Sequence, residues 1–374
     1  MLYNDIKHII KHIIKHFDFE GTYESAEELV NGNVNFTYKL YYRQADGSVI
    51  HYVLQRINTV AFRDPERLME NIVNVVNHLV DSMREDGINP ARRVLTYIRC
   101  DNGSYLYEDR NGNYWRADVF IDGTTAYDKI DDGEKFYQAG KGFGEFQRYL
   151  FDFPAEKLTD TIPDFHNTKK RFYAFVAAVA ADKAGRVKDL EKEIDFFFDR
   201  RKMMSEIVNE IESGKIPLRV THNDTKLNNV LMDNVTGEAV CVIDLDTVMP
   251  GSVLYDYGDA IRFGAATAPE DEKDVSKMGV DMGLFKKFTD GFLSEVASVL
   301  TKEEIHLLPL GVKVITCELA MRFLTDYIDG DEYFKIKYPD HNLVRARAQM
   351  KLLTEVEKHY DEMTEYVDKF IANK

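Results

Sequence analysis

The stretch from Arg219 to Asp246, RVTHNDTKLNNVLMDNVTGEAVCVIDLD, constrains this chain more than any other. An apolar lead-in meets a dense polar run; a second apolar run, VLM, follows, and a third, VCVI, ends in acids. Short apolar runs bounded by polar clusters read as strands. The polar residues then fall in a loop between two of them, where functional groups tend to sit. Packing alone has no use for His222, Asp224, Lys226 and three asparagines in so short a segment.

Asp224 followed five residues later by Asn229 has the spacing of a phosphoryl-transfer loop. There Asp accepts the proton of an attacking hydroxyl and Asn offers a neutral oxygen to magnesium. Asp224 is therefore the candidate base and Asn229 a candidate metal ligand. Lys226 can reach the transferred phosphoryl group, and His222 reads as a buttress of the loop backbone. Fifteen residues past Asn229, Asp244 ends an apolar strand, where such an enzyme needs an ionised magnesium ligand. Asp246 would hold a second metal or stand behind the first. A hairpin with capping acids is the plain alternative. In LYDYGDAIRFGA, Asp256 is a candidate buried acid holding the loop. Asp259 and Arg262 share a helical face, either for a polyhydroxyl ligand or as a structural ion pair.

Periodicity orders the rest. HIIKHIIKHF is an opening helix. FTYKLYYRQADGSVIHYVLQRI is a hairpin around Ala45–Ser48, and DPERLMENIVNVVNHLVDSM is a helix started by Asp-Pro. RRVLTYI, SYLYED and YWRADVFI read as further strands, and from about Asp132 the pattern turns helical. The expected fold is α+β: a β-rich N-terminal lobe (1–121), a hinge or linker (122–131) and a mostly helical C-terminal lobe (132–374).

Other features carry less. His8, His12 and His16 fall on one helix face, but neighbouring lysines and the lack of a carboxylate favour a solvated or packed face over a metal site. Gly140, Gly142 and Gly144 in GKGFGEF match no phosphate loop and follow no strand, so they suggest close helix packing. A net charge of -16 disfavours nucleic acid and anionic membrane. Three scattered cysteines and no apolar run of membrane length point to a cytoplasmic protein, with a monomer favoured. No G-x-G-x-x-G-x-V or DFG is present, so the hydroxyl acceptor is expected to be a small molecule.

The order THNDTKLNNVLMD…VIDLDTVMPGSVLYDYGDAIRFGA resembles the aminoglycoside phosphotransferase and choline kinase superfamily, and within it the bacterial N-acetylhexosamine 1-kinases. The resemblance extends over VNGNVNFTYKL, YVLQRIN, KIPLRV and MRFLTDYIDGDEYFKIKYPDHNLVRAR. It implies a bilobal protein-kinase-like fold and Mg2+- and ATP-dependent phosphorylation of the 1-hydroxyl of GlcNAc or GalNAc. It assigns Asp224 as base and Asn229 with Asp244 to magnesium. Asp259, Arg262, Phe263, Arg322 and Tyr333 would lie near the sugar. The nucleotide would lie under NGNVNFT and against VFIDG, near Asn33, Asn35, Thr37, Gln55, Phe120 and Asp122. Two departures stand out: Asn33 occupies a loop position where relatives carry His, and Gln55 stands where the superfamily often has a phosphate-binding Lys, with Arg56 beside it. Glu66 and Glu70 both qualify as the helix acid that would pair with such a Lys. Other hydroxyl acceptors (another hexose, an aminoglycoside, choline, homoserine) and a non-catalytic nucleotide-binding regulator are the alternatives.

Overall fold

The computed structural model describes residues 3–29, 34–130 and 132–372, so Asn33 lies outside the described residues. The chain falls into two compact units: Met1–Thr125 with Asp233–Thr236, and Ala126–Met232 with Gly237–Lys374.

The first unit holds α1 (Tyr3–Ile13), β1 (Thr22–Leu29), β2 (Phe36–Arg43), β3 (Val49–Arg56), α2 (Pro65–Glu85), β4 (Tyr107–Glu108), β5 (Tyr114–Val119) and β6 (Thr124–Thr125). Five strands form an antiparallel sheet in the order β1-β2-β3-β5-β4. Side chains alternate across a strand, and here that sorts β2, β3 and β5 into two unlike faces. Tyr38, Leu40, Tyr52, Leu54, Trp115 and Ala117 share a core with Ile10, Ile13 and Phe17. The other face carries Thr37, Lys39, Gln55, Arg116 and Asp118, and the register aligns Thr37, Gln55 and Arg116 across three strands. The expected hairpin forms, with Gly47 at φ +86° in its turn. Helix α2 starts at the Asp-Pro signal, where the Asp64 side chain accepts the Arg67 N–H at 3.0 Å.

Several sequence expectations do not hold. TYESAEEL, with no apolar alternation, becomes β1: as an edge strand it has one neighbour and its acids face solvent. RRVLTYI makes only an isolated bridge, Tyr97 to Asp118, and Arg92 at φ +65° interrupts extended backbone there. SYLYED contributes only the two residues of β4. Neither Glu66 nor Glu70 turns inward; both are exposed and Glu70 pairs with Arg67. The buried polar residue of α2 is Asn71. In the histidine row, His16 stacks on Tyr107 at 4.2 Å and bonds Asp101 at 2.9 Å.

The second unit contains α3 (Gly133–Tyr149), α4 (Thr168–Ala181), α5 (Glu191–Glu212), β7 (Arg219–Thr221), β8 (Val230–Asp233), β9 (Ala239–Val242), β10 (Met249–Gly251), α6 (Val253–Gly264), α7 (Met282–Val296), α8 (Lys302–Asp329), α9 (His341–Lys358) and α10 (Tyr360–Ala372), with the end of β8 counted in the first unit. Gly140 and Gly144 let α3 lie directly on α7, since a Cβ at either would run into the carbonyls of Phe288 or Phe292. Gly258 and Gly311 do the same for α6 and α8. Helix α8 is buried along most of its length and opens on a Thr301–Glu304 capping box. It is the wall against which the residues of α6 are held.

Candidate active site

Between β7 and β8 the loop is fixed by one acid. The buried Asp256 carboxylate, on α6, accepts the main-chain N–H of Asn223 at 2.7 Å and of His222 at 2.8 Å, and the Gln147 amide at 2.6 Å. Thr225 Oγ1 donates to the Asp256 carbonyl at 2.5 Å. Burial holds the Asp256 carboxyl above the usual range, against the pull of His222 and these donors. Asn223 sits at φ +64°, a left-handed conformation that Asn tolerates, and its amide donates to Thr247 O at 2.8 Å. His222 Nε2 donates to Ile243 O at 2.8 Å while Nδ1 accepts the Asp224 N–H at 3.2 Å. One ring nitrogen donates and the other accepts, so both edges of the ring are fixed. It braces the loop, as its sequence position suggested.

The loop presents Asp224 between two donors. Lys226 Nζ lies 2.6 Å from Oδ1. The Asn229 amide donates to Oδ2 at 3.1 Å and to the Asp224 carbonyl at 2.7 Å. Burial alone would lower the Lys226 ammonium, but Asp224 and Asp259 outweigh it and hold it above its usual range. Ile243 N donates to Asn229 O at 2.9 Å, and β8 pairs with β9 as Val230 to Val242. Asn229 and Asp244 therefore both lie at the open end of one hairpin, Asp244 one residue past the Ile243 that pairs with Asn229. Asp244 is exposed at φ +61°, whereas Asp246 is buried on the next turn. With its NH2 turned to Asp224, Asn229 has Oδ1 as its oxygen donor. One carboxylate and one amide oxygen suit a hard cation that keeps phosphate and water in its shell. Among the described residues, no three His, Cys, Asp or Glu side chains form a metal cage.

Beyond Asp224 lies a dense charge cluster. Arg262 is buried and grips Asp259 Oδ1 through Nε (2.9 Å) and Nη2 (2.7 Å), with Nη1 on Glu270 at 3.0 Å. The ion pair, one of the two readings of Asp259 and Arg262, is formed. Burial would raise the Asp259 carboxyl, yet Arg262, Lys226 and His166 hold it below the usual range. Phe263 is half-buried, one residue further along α6. Arg322 lies over Phe165, Tyr333 and Phe334 at 5.5, 5.6 and 5.5 Å, and reaches Tyr333 Oη at 3.4 Å.

Sequence reasoning did not single out His166, Arg171 or Glu318, which complete this cluster. Glu318, buried on α8, accepts from His166 Nδ1 at 2.9 Å and lies 3.8 Å from Arg171 Nε. Burial would raise the Glu318 carboxyl, but His166, Arg322 and Arg171 keep it low. One sequence signal existed: an acid and a cation four apart, Glu318 and Arg322, within the mostly apolar stretch VITCELAMRFL.

In the first unit, Thr37, Gln55 and Phe120 share the polar side of the sheet. Gln55 Nε2 donates to Thr37 Oγ1 at 3.2 Å, and Lys39 sits 3.7 Å from the Phe120 ring centre. Asp122 bonds His51 at 2.8 Å, and Asn35 accepts the Asn58 N–H at 3.0 Å, fixing the turn before β2. Arg56 turns to the other side, over Phe36 at 4.1 Å, so Gln55 alone of that pair occupies the polar face.

A family model described as "Phosphotransferase enzyme family" matches residues 29–276. The chain belongs to that family. Solved structures similar to this phosphotransferase include an amicoumacin kinase in complex with AMP-PNP, Ca2+ and Ami (13% identity, 94% of this chain and 96% of that one, TM-score 0.60). Others are a microcompartment-associated aminopropanol kinase (15%, 96% and 98%, 0.61) and an ethanolamine kinase from Plasmodium vivax (15%, 87% and 82%, 0.55). At these identities the likeness is one of fold: a kinase-like α+β architecture with an antiparallel sheet followed by a helical unit. The family match covers the 222–229 loop, Asp244 and α6 of this phosphotransferase, and stops short of Glu318, Arg322 and Tyr333.

Proposed function

We propose that this small-molecule kinase transfers the γ-phosphoryl group of ATP to the 1-hydroxyl of an N-acetylhexosamine, GlcNAc or GalNAc, giving the sugar 1-phosphate. The carrying observation is the Asp224 carboxylate, set on a rigid loop between Lys226 and Asn229 with Asp244 beside Asn229. Asp224 takes the hydroxyl proton, and an anomeric hydroxyl is acidic enough for a carboxylate base. Lys226 offsets charge on the transferred group. Asn229 and Asp244 would hold Mg2+, with Asp246 behind them; when bound, it neutralises charge on the phosphate oxygens.

The charge balance beyond Asp224 supports a neutral acceptor. Asp224 and Asp259 face Lys226 and Arg262, and Glu318 faces His166, Arg171 and Arg322. A polycationic aminoglycoside would meet carboxylates that already have partners. A quaternary amine calls for an aromatic cage, and the one formed by Phe165, Tyr333 and Phe334 already receives Arg322. The names of the similar structures, kinases for amicoumacin, aminopropanol and ethanolamine, agree with a small hydroxyl acceptor and do not bear on the sugar.

The test is ADP release with purified protein, MgATP and a panel of GlcNAc, GalNAc, glucose, galactose, choline, homoserine and kanamycin. Turnover should be highest with an N-acetylhexosamine, and no turnover of either would reject the reading. Stabilisation by ATP without transfer to any acceptor would instead favour a nucleotide-binding regulator.

A further inference from the structure

A kinase-like sheet that handles nucleotide normally carries a lysine on its third strand, whose ammonium meets the phosphates and pairs with a glutamate on the next helix. This chain has Gln55 on β3 at that position, and both early acids of α2, Glu66 and Glu70, are exposed. Among the described residues, the strand lysine and an inward acid partner are therefore missing together. One rung away, β5 places Arg116 directly opposite Gln55, on the same face and 1% exposed. Arg116 Nε–H donates to Gln55 Oε1 at 2.9 Å. An arginine has no acceptor, so this bond fixes which way the Gln55 amide points. Its NH2 is thereby turned toward Thr37 on β2, 3.2 Å from Oγ1.

We infer that Gln55 and Arg116 together replace the strand lysine: the Gln55 amide N–H meets a nucleotide phosphate oxygen, and Arg116 is the positioning residue that orients this amide and supplies the positive charge behind it. A guanidinium is never neutral at working pH and is less strongly hydrated than an ammonium, which makes it the better cation to hold inside the sheet face. A donor polarised by a cation on its carbonyl side binds an anion more strongly than an isolated amide. Lys39, on the next rung of β2, is directed elsewhere, over Phe120 and within 3.7 Å of Asp122. The inference rests on the nucleotide-dependent reading above.

The test is the Kd of MgATP by titration calorimetry, with KM for ATP and for the acceptor measured separately, for wild type, Gln55→Ala, Arg116→Met, the double variant Gln55→Ala/Arg116→Met and the swap Gln55→Lys/Arg116→Met. Removal of a charge-assisted contact predicts about a tenfold weaker Kd for each single variant, with acceptor KM within about twofold of wild type. The double variant should be no weaker than the singles, because the two side chains act as one unit, and the swap should restore ATP affinity. Unchanged ATP Kd in Gln55→Ala, or in a folded Arg116→Met, overturns the inference. If Arg116→Met fails to fold, Gln55→Ala decides it alone. Failure of wild type itself to bind MgATP is a different result and rejects the kinase reading.

Discussion

Asn229 donates its amide to Asp224 twice, to the carboxylate Oδ2 at 3.1 Å and to the main-chain carbonyl at 2.7 Å. The candidate base and the candidate metal ligand are thus one hydrogen-bonded unit. Each orients the other: the donors of Asn229 are spent on Asp224, which leaves its Oδ1 as the oxygen donor.

Asp224→Asn should keep the loop and lose the base. We expect kcat to fall roughly 100- to 10,000-fold while MgATP affinity stays within a few-fold. Steady-state kinetics beside calorimetric ATP binding would check this, and near wild-type turnover would remove Asp224 from its role.

Asn229→Ala removes a metal oxygen and the restraint on Asp224 together. The Mg2+ concentration for half-maximal activity should rise by roughly 10- to 100-fold, the scale on which loss of ligand support weakens a metal site. A Mg2+ titration at fixed ATP reads it out directly. An unshifted curve would place the metal elsewhere.

Glu318 and Asp259 are both held below the usual carboxylate range in the folded protein. The unfolded chain therefore binds their protons first as pH falls. The stability they contribute is present above the ordinary carboxylate range and is lost as pH drops through it toward their depressed values. Melting temperature should fall on acidification through that window. Glu318→Gln should flatten the fall, and an equally steep profile in the variant would contradict the assignment.

Gly140→Ala should destabilise without touching the chemistry. Its Cβ would meet the Phe288 carbonyl, which is backbone and cannot swing away. Overpacking of this kind costs about 1–3 kcal/mol. We expect a lower melting temperature with little change in the KM values of the protein that remains folded.

Local chemistry was legible in the sequence, and long-range pairing was not. The 222–229 loop, the hairpin ending in Asp244 and the Asp64 start of α2 are each written in consecutive residues, so spacing and turn signals reveal them. Asp256 was recognisable as the loop's anchor because it follows within the same run of sequence. Spacing gives no role to Asn223, yet the loop uses its left-handed φ as well as its amide. His166 and Glu318 are 152 residues apart, and nothing in either neighbourhood announces the other. β1 was hidden for a different reason: an edge strand has no need of the alternating apolar pattern by which strands are recognised.

Arg322, resting among Phe165, Tyr333 and Phe334, has a consequence in mass action. A tethered cation competes for an aromatic surface at an effective concentration in the millimolar range or above. A free amine must first displace it, so its apparent affinity is reduced in proportion, without any clash in the pocket. A polyol makes no such demand, because it can hydrogen-bond to the guanidinium where it lies. On the proposed reading, with Arg322 and Tyr333 at the acceptor, the chain would discriminate against cationic alcohols by carrying a resident competitor, and shortening Arg322 would widen its acceptor range rather than simply weaken it.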